Sequence, residues 1–260
     1  MRVAVVGAGP AGAALSLVLA RAGVEVRLID RATSFDRVFR GEGLLPLGLH
    51  ALEQLRLGWS IDQVPGRPVE SWRILIDGDE VLRLPEPVAE LGSRAFRVAS
   101  PAALLERLVA DADRQPAFSF HPGVRCADVE RDAHGRIGGV RVATAEGLRT
   151  WPADLVIGCD GRGSSIRTKA GLTLDLAPEQ YDVLWCKVPA PDALAGHTAF
   201  RIMVRAGAHP LISYTSWDDQ LQLGVIMPRG GLDEVRHGDW LTPALRAGAG
   251  VARRPRPGPS

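Results

Sequence analysis

Three glycines and two aspartates carry the first chemical suggestion in this chain. Gly7, Gly9 and Gly12 stand in the run Val3-Ala4-Val5-Val6-Gly7-Ala8-Gly9-Pro10-Ala11-Gly12. At this spacing the first glycine turns the chain out of a strand and the second lets the main chain approach a pyrophosphate. The third lets the following helix lie close on a sheet. The free amides and positive dipole end of that helix then face phosphate, and Pro10 suits its first turn, where a missing N–H costs nothing. Asp30 lies eighteen positions beyond Gly12, near the roughly 20-residue spacing at which a carboxylate meets an adenosine ribose 2′-hydroxyl. A further acid, Asp160 in Asp160-Gly161, follows the apolar run Leu155-Val156-Ile157-Gly158, at the strand end where open α/β sheets bind ligands. The chemistry is dinucleotide binding. FAD and NAD use the same cradle, and the glycines alone do not choose between them.

Positioning these residues requires a strand from Val3, a helix over Pro10–Ala22 and a second strand over Val24–Asp30. Leu15, Val18, Leu19 and Ala22 share one helical face, and Gly23 provides a left-handed cap. A helix from about Pro46 to Leu55 turns Leu49, Leu52 and Leu55 inward, and Trp59 to Pro68 reads as loop. Asp77-Gly78 between Ser71–Ile76 and Val81–Leu84 signals a hairpin. Ser100-Pro101 opens a helix whose buried stripe is Leu104, Leu105, Leu108 and Val109. A meander of short strands follows: Ala117–His121, Arg125–Arg131, Gly138–Thr144 and Leu148–Trp151. Asp154–Cys159 has the pattern of a central parallel strand covered on both faces. Four longer strands, Val183–Val188, Thr198–Val204, Leu211–Tyr214 and Leu221–Met227, read as a separate antiparallel sheet. Leu241–Leu245 suits a turn or two of helix, and the Arg/Pro/Gly-rich ending has no periodicity and reads as disordered.

Bulk properties set limits. The chain has 260 residues, 46% hydrophobic and 23% charged, with a formal net charge of +1. That balance offers no electrostatic footprint for nucleic acid or an acidic membrane. The uncharged stretch over 3–20 is broken by the glycines and proline at 7–12, which a signal peptide or membrane span does not explain. Cys126, Cys159 and Cys186 are odd in number and widely spaced, so neither a disulfide framework nor a metal site is expected, and the cytoplasm is the default compartment. The six histidines show no ligand or triad spacing, and no catalytic residue is nominated.

On these motifs the chain resembles the FAD-dependent aromatic hydroxylases related to p-hydroxybenzoate hydroxylase. The family's first motif is similar to Gly7-Ala8-Gly9-Pro10-Ala11-Gly12. Another of its motifs is similar to Asp160-Gly161 followed by Ser164 or Ser165 and Arg167. The likeness runs from residue 1 to about 230. It implies an α/β fold: a Rossmann-like FAD-binding domain over 1–172, a hairpin at 71–84 contributing to an inserted antiparallel substrate-binding sheet, and part of that sheet over 173–230. It implies that Gly7, Gly9, Ala11 and Gly12 cradle the FAD pyrophosphate, that Asp30 with Arg31 meets the ribose, and that Arg40 neutralises phosphate. Val124 falls where the family's backbone meets the adenine side. Asp160 and Gly161 would touch FAD near the groove where NADPH or NADH docks. The implied reaction is monooxygenation: a flavin hydroperoxide transfers one atom of O2 to an aromatic or polyketide-like small molecule.

Several residues keep a plainer reading alongside. An aspartate at a strand-to-helix turn is also an N-cap, Arg40 also suits a solvated surface, and Arg167 also suits a local cap. Trp185 and Trp217 lie on the later strands, where core and pocket roles both fit. Ser100-Pro101 stands where many family members place an arginine or glutamine on the flavin phosphates, so that contact is absent or comes from Arg97. The family's third motif, Gly-Asp followed by Ala-Ala-His, has no counterpart: His237-Gly238-Asp239-Trp240 lies too early and lacks its flanks. The expectation is therefore a C-terminally incomplete chain whose residues 231–260 form a degenerate or disordered tail, and which holds flavin weakly. An FAD-dependent reductase or dehydrogenase of the same fold, or a non-catalytic remnant, stays open beside the hydroxylase. No oligomeric state is assigned.

Overall fold

The computed structural model describes residues 1–36, 41–175, 177 and 180–231. Along the chain come β1 (Arg2–Val6), α1 (Pro10–Arg21), β2 (Glu25–Asp30), β3 (Gly43–Leu44), α2 (Pro46–Gln54), α3 (Trp59–Asp62) and β4 (Gly66–Pro68). Next are β5 (Ser71–Ile76), β6 (Asp79–Pro85), α4 (Val88–Leu91), β7 (Arg97–Ala99), α5 (Pro101–Asp113) and β8 (Phe118–Pro122). Then follow β9 (Arg125–Arg131), β10 (Ile137–Thr144), β11 (Gly147–Pro152), β12 (Leu155–Gly158) and α6 (Ser165–Ala170). The last are β13 (Tyr181–Pro189), β14 (Ala199–Val204), β15 (Leu211–Thr215) and β16 (Gln220–Pro228). These elements divide into two compact units. The first comprises Met1–Phe39, Leu52–Val64 and Pro101–Asp175; the second comprises Arg40–Ala51, Pro65–Ser100 and the chain from Leu176 onward.

The first unit is built on a parallel sheet of order β12-β1-β2-β8. Parallel pairing needs a crossover, and α1 supplies it between β1 and β2. Alternation along β1 sends Ala4 and Val6 into a cluster with Cys126, Val129, Val140 and Val142 of the antiparallel β9–β11 meander. Four expectations are corrected here. Along α1 the buried residues are Gly12, Ala13, Ser16, Leu17 and Ala20, whereas Leu15, Val18 and Leu19 are half-buried and Ala22 is exposed. A helix drawn close to a sheet turns mostly small side chains inward, here with Leu17 as the one large residue on that face, and Leu15, Val18 and Leu19 mark the flank. The strand over 118–122 leaves the meander and pairs in parallel with β2, Val26 facing Phe118. The stretch from Trp59 holds α3 and β4 rather than loop alone, with Ile61 buried. β12, expected at the centre, is the edge strand of the described sheet. It pairs with β1, and Leu155 is 45% exposed. An apolar run predicts burial only where a neighbour covers it.

The second unit holds a six-stranded sheet of order β13-β16-β15-β14-β5-β6 and a small sheet β3-β7-β4. The expected hairpin forms, with Asp77 at φ 51 and Gly78 at φ 96, the left-handed pair that a type I′ turn requires. Its β5 strand runs parallel to β14, one parallel pairing in an otherwise antiparallel sheet. One face buries Leu75, Met203, Leu211, Leu223 and Met227; the other carries an aromatic cluster around Phe96 and Tyr214. Of the three leucines expected inward on α2, Leu49 alone is buried, Leu52 is half-buried and Leu55 is exposed. Leu241–Leu245 and the tail from residue 232 lie outside the described residues.

Candidate nucleotide site

The site is assembled at the carboxyl ends of β1, β2 and β12, all in the first unit. Gly7 leaves β1 at φ +105, and its amide donates to the Ile29 carbonyl at 2.7 Å. A Cβ on Gly7 would sit 2.4 Å from the Cys159 carbonyl oxygen and 2.8 Å from the Asp160 nitrogen. The glycine turn and the Cys159-Asp160 turn therefore touch, as two motifs about 150 residues apart in sequence must if they serve one ligand. A Cβ on Gly12 would sit 1.8 Å from the Gly7 carbonyl oxygen. Gly9 is different. It is the N-cap of α1, has no side chain to cap it, and a Cβ there meets nothing within 4 Å.

Asp30 is buried at the end of β2. Its Oδ2 accepts the Ala8 amide at 2.7 Å and its Oδ1 accepts the Ala32 amide at 2.8 Å. The acid is thus locked to the glycine turn itself. The Val124 amide donates to the Asp30 carbonyl at 3.0 Å, which brings the residue expected on the adenine side next to the residue expected on the ribose. Ala11 is exposed on the first turn of α1, and Arg31 is exposed just past β2. Arg40 lies outside the described residues.

Asp160 serves the start of α6. Its Oδ1 accepts the Ser164 hydroxyl at 2.5 Å; its Oδ2 accepts the Ser165 amide at 2.6 Å, the Ser165 hydroxyl at 3.0 Å and the Ile166 amide at 3.2 Å. Ser164 in turn caps the helix by accepting the Arg167 amide at 3.0 Å. The plainer reading of Asp160 is therefore realised by its carboxylate, while its main chain, with Gly161 beyond, borders the glycine turn. Arg167 closes the same loop, donating to the Arg162 carbonyl at 3.0 Å. Burial works to raise the Asp160 carboxyl, but the bonds from Ser164, Ile166 and Ser165 outweigh it and hold the group below its usual value. The Cys159 thiol beside it is pushed up by burial and then by the Asp160 charge, which leaves it a poor nucleophile.

A depressed carboxyl contributes stability that is complete above its unfolded value of about 3.9 and is lost as pH falls through the lower folded value. Asp160→Asn is expected to cost about 1–2 kcal/mol at neutral pH, where charge-assisted hydrogen bonds are lost. The gap from the parent chain should narrow toward pH 3, and denaturant unfolding at both pH values measures it.

The residues present suit a dinucleotide. The uncapped amides of a twelve-residue helix open beside the space at Gly9, with no acid in the first turn, and an oriented acid ends the adjacent strand. Among the described residues no group of three or more potential ligands gathers to hold a metal ion. None of their helices is long and apolar enough to cross a membrane. One cluster escaped the sequence altogether. In the second unit Lys187 bridges Glu42 and Asp218, across 145 residues in the case of Glu42. Its only trace in sequence is a lysine inside an apolar strand.

Comparison with known proteins agrees with this geometry. A family profile described as an FAD binding domain matches residues 1–230. The chain is 38% identical over 236 residues to 6-methylpretetramide 4-monooxygenase of Streptomyces rimosus, covering 88% of this chain and 54% of that protein. It is 33% identical over 175 residues to 3-hydroxybenzoate 6-hydroxylase of Klebsiella oxytoca, covering 64% of this chain and 42% of that one. It thus spans about half the length of these relatives. Among solved structures, p-nitrophenol 4-monooxygenase of Pseudomonas putida superposes with a TM-score of 0.77 at 17% identity, over 90% of this chain and 60% of that one. A PqsL mutant of P. aeruginosa gives 0.76 at 21% identity, over 97% and 72%. These two share the fold.

Proposed function

The chain belongs to the FAD-binding monooxygenase family, and from that premise we propose that it is the nucleotide-binding and substrate-sheet portion of an NAD(P)H-consuming hydroxylase. The observation that carries this reading is the contact between the Gly7 turn and the Cys159-Asp160 turn at the mouth of the parallel sheet. The α1 amides and the Gly9 opening hold the pyrophosphate. Asp30, oriented by Ala8 and Ala32, meets the adenosine ribose, Arg31 lies beside it, and the Val124 main chain borders the adenine. FAD, when bound, supplies the redox and oxygen chemistry, with NADPH or NADH as electron donor and O2 as co-substrate. The chain's own work is to bind, orient and exclude water. The substrate is an aromatic or polyketide-like small molecule, a reading supported by the names of the Streptomyces and Klebsiella relatives, and the six-stranded sheet receives it.

Two measurements test this. Titration with FAD should give saturable quenching of flavin fluorescence and a rise in melting temperature that grows with ligand concentration. With NAD(P)H, a phenolic acceptor and 18O2, the hydroxylated product should carry the label. Nicotinamide oxidation that proceeds without oxygen, or a product free of label, would point to a reductase instead.

A further inference from the structure

We draw no further inference here: the strongest candidate, the exposed apolar face of the six-stranded sheet where Ile76 of β5 lies beside Val204 of β14 and Leu82 and Leu84 follow on the edge strand β6, carries nothing because nothing among the described residues shows what covers it.

Discussion

Gly12→Ala is expected to cost about 3 kcal/mol or more of folding stability, whereas Gly9→Ala should cost within about 1 kcal/mol. The two positions belong to one six-residue motif, yet space treats them oppositely. A methyl at Gly12 collides with the Gly7 carbonyl at 1.8 Å, and that carbonyl belongs to a turn already wedged against Cys159. Nothing nearby yields cheaply, since the obstacle is backbone. A methyl at Gly9 meets nothing within 4 Å, so the empty fold tolerates it. The same methyl occupies the approach of a pyrophosphate to the α1 amides, and FAD affinity should fall at least about tenfold, since close approach sets phosphate binding at a helix terminus. Denaturant unfolding and FAD titration of both variants separate the roles. A Gly9→Ala chain that binds FAD like the parent would remove the phosphate from this position.

The other large effect is expected in the second unit. Lys187→Met leaves the Glu42 carboxylate, whose side chain is 7% exposed, without its cation. Breaking one side of a buried ion pair costs about 3–5 kcal/mol because the remaining charge is stranded. Lys187 reaches solvent in part, so the lower end of that range applies. Here the ammonium also serves Asp218 at 2.8 Å, so the loss falls on two acids at once. Adding Glu42→Gln to the variant should recover the larger part of the loss, since the more deeply buried charge is then gone while Ser216 and the Tyr214 hydroxyl keep partners. Asp218, whose side chain is 22% exposed, keeps its own unpaired charge and accounts for the remainder. A thermal or denaturant series on parent, single and double variants reads this directly. An unchanged midpoint in Lys187→Met would show that the cluster contributes little to the fold.

The nucleotide half was legible because its information is local. The turn, helix, second strand and Asp30 lie within the first thirty residues, and Gly12 answers to a clash with the Gly7 carbonyl five residues before it. The contact between the Gly7 and Asp160 turns was legible too, since the apolar strand Leu155–Gly158 had to lie in the same sheet as β1. Periodicity misled where size mattered more than polarity. In α1 the large apolar residues Leu15, Val18 and Leu19 are only half-buried, while the buried face is Gly12, Ala13, Ser16 and Ala20 with Leu17 as its one large member. It misled again at β12, whose composition announces a covered strand and whose surroundings leave it at an edge. Glu42, Lys187 and Asp218 left almost no trace, because their meeting depends on the register of β13 against β16 and on a loop well over a hundred residues upstream. The Asp160 carboxylate carried two readings from the start. Its four bonds to Ser164, Ser165 and Ile166 show that capping is one of its tasks.

The parallel pairing of β5 with β14 has a consequence for how the polypeptide is made. Ile76 leaves the ribosome roughly 120 residues before the β14 strand that it must lie beside, a delay on the order of ten seconds at ordinary elongation rates. During that interval the hairpin has no neighbour on its inner side, and Leu82 and Leu84 are exposed even in the finished chain. Vectorial synthesis therefore presents an early, sticky ribbon that only the late strands can complete. Nascent-chain chaperoning and slowed, cool expression act on that waiting period.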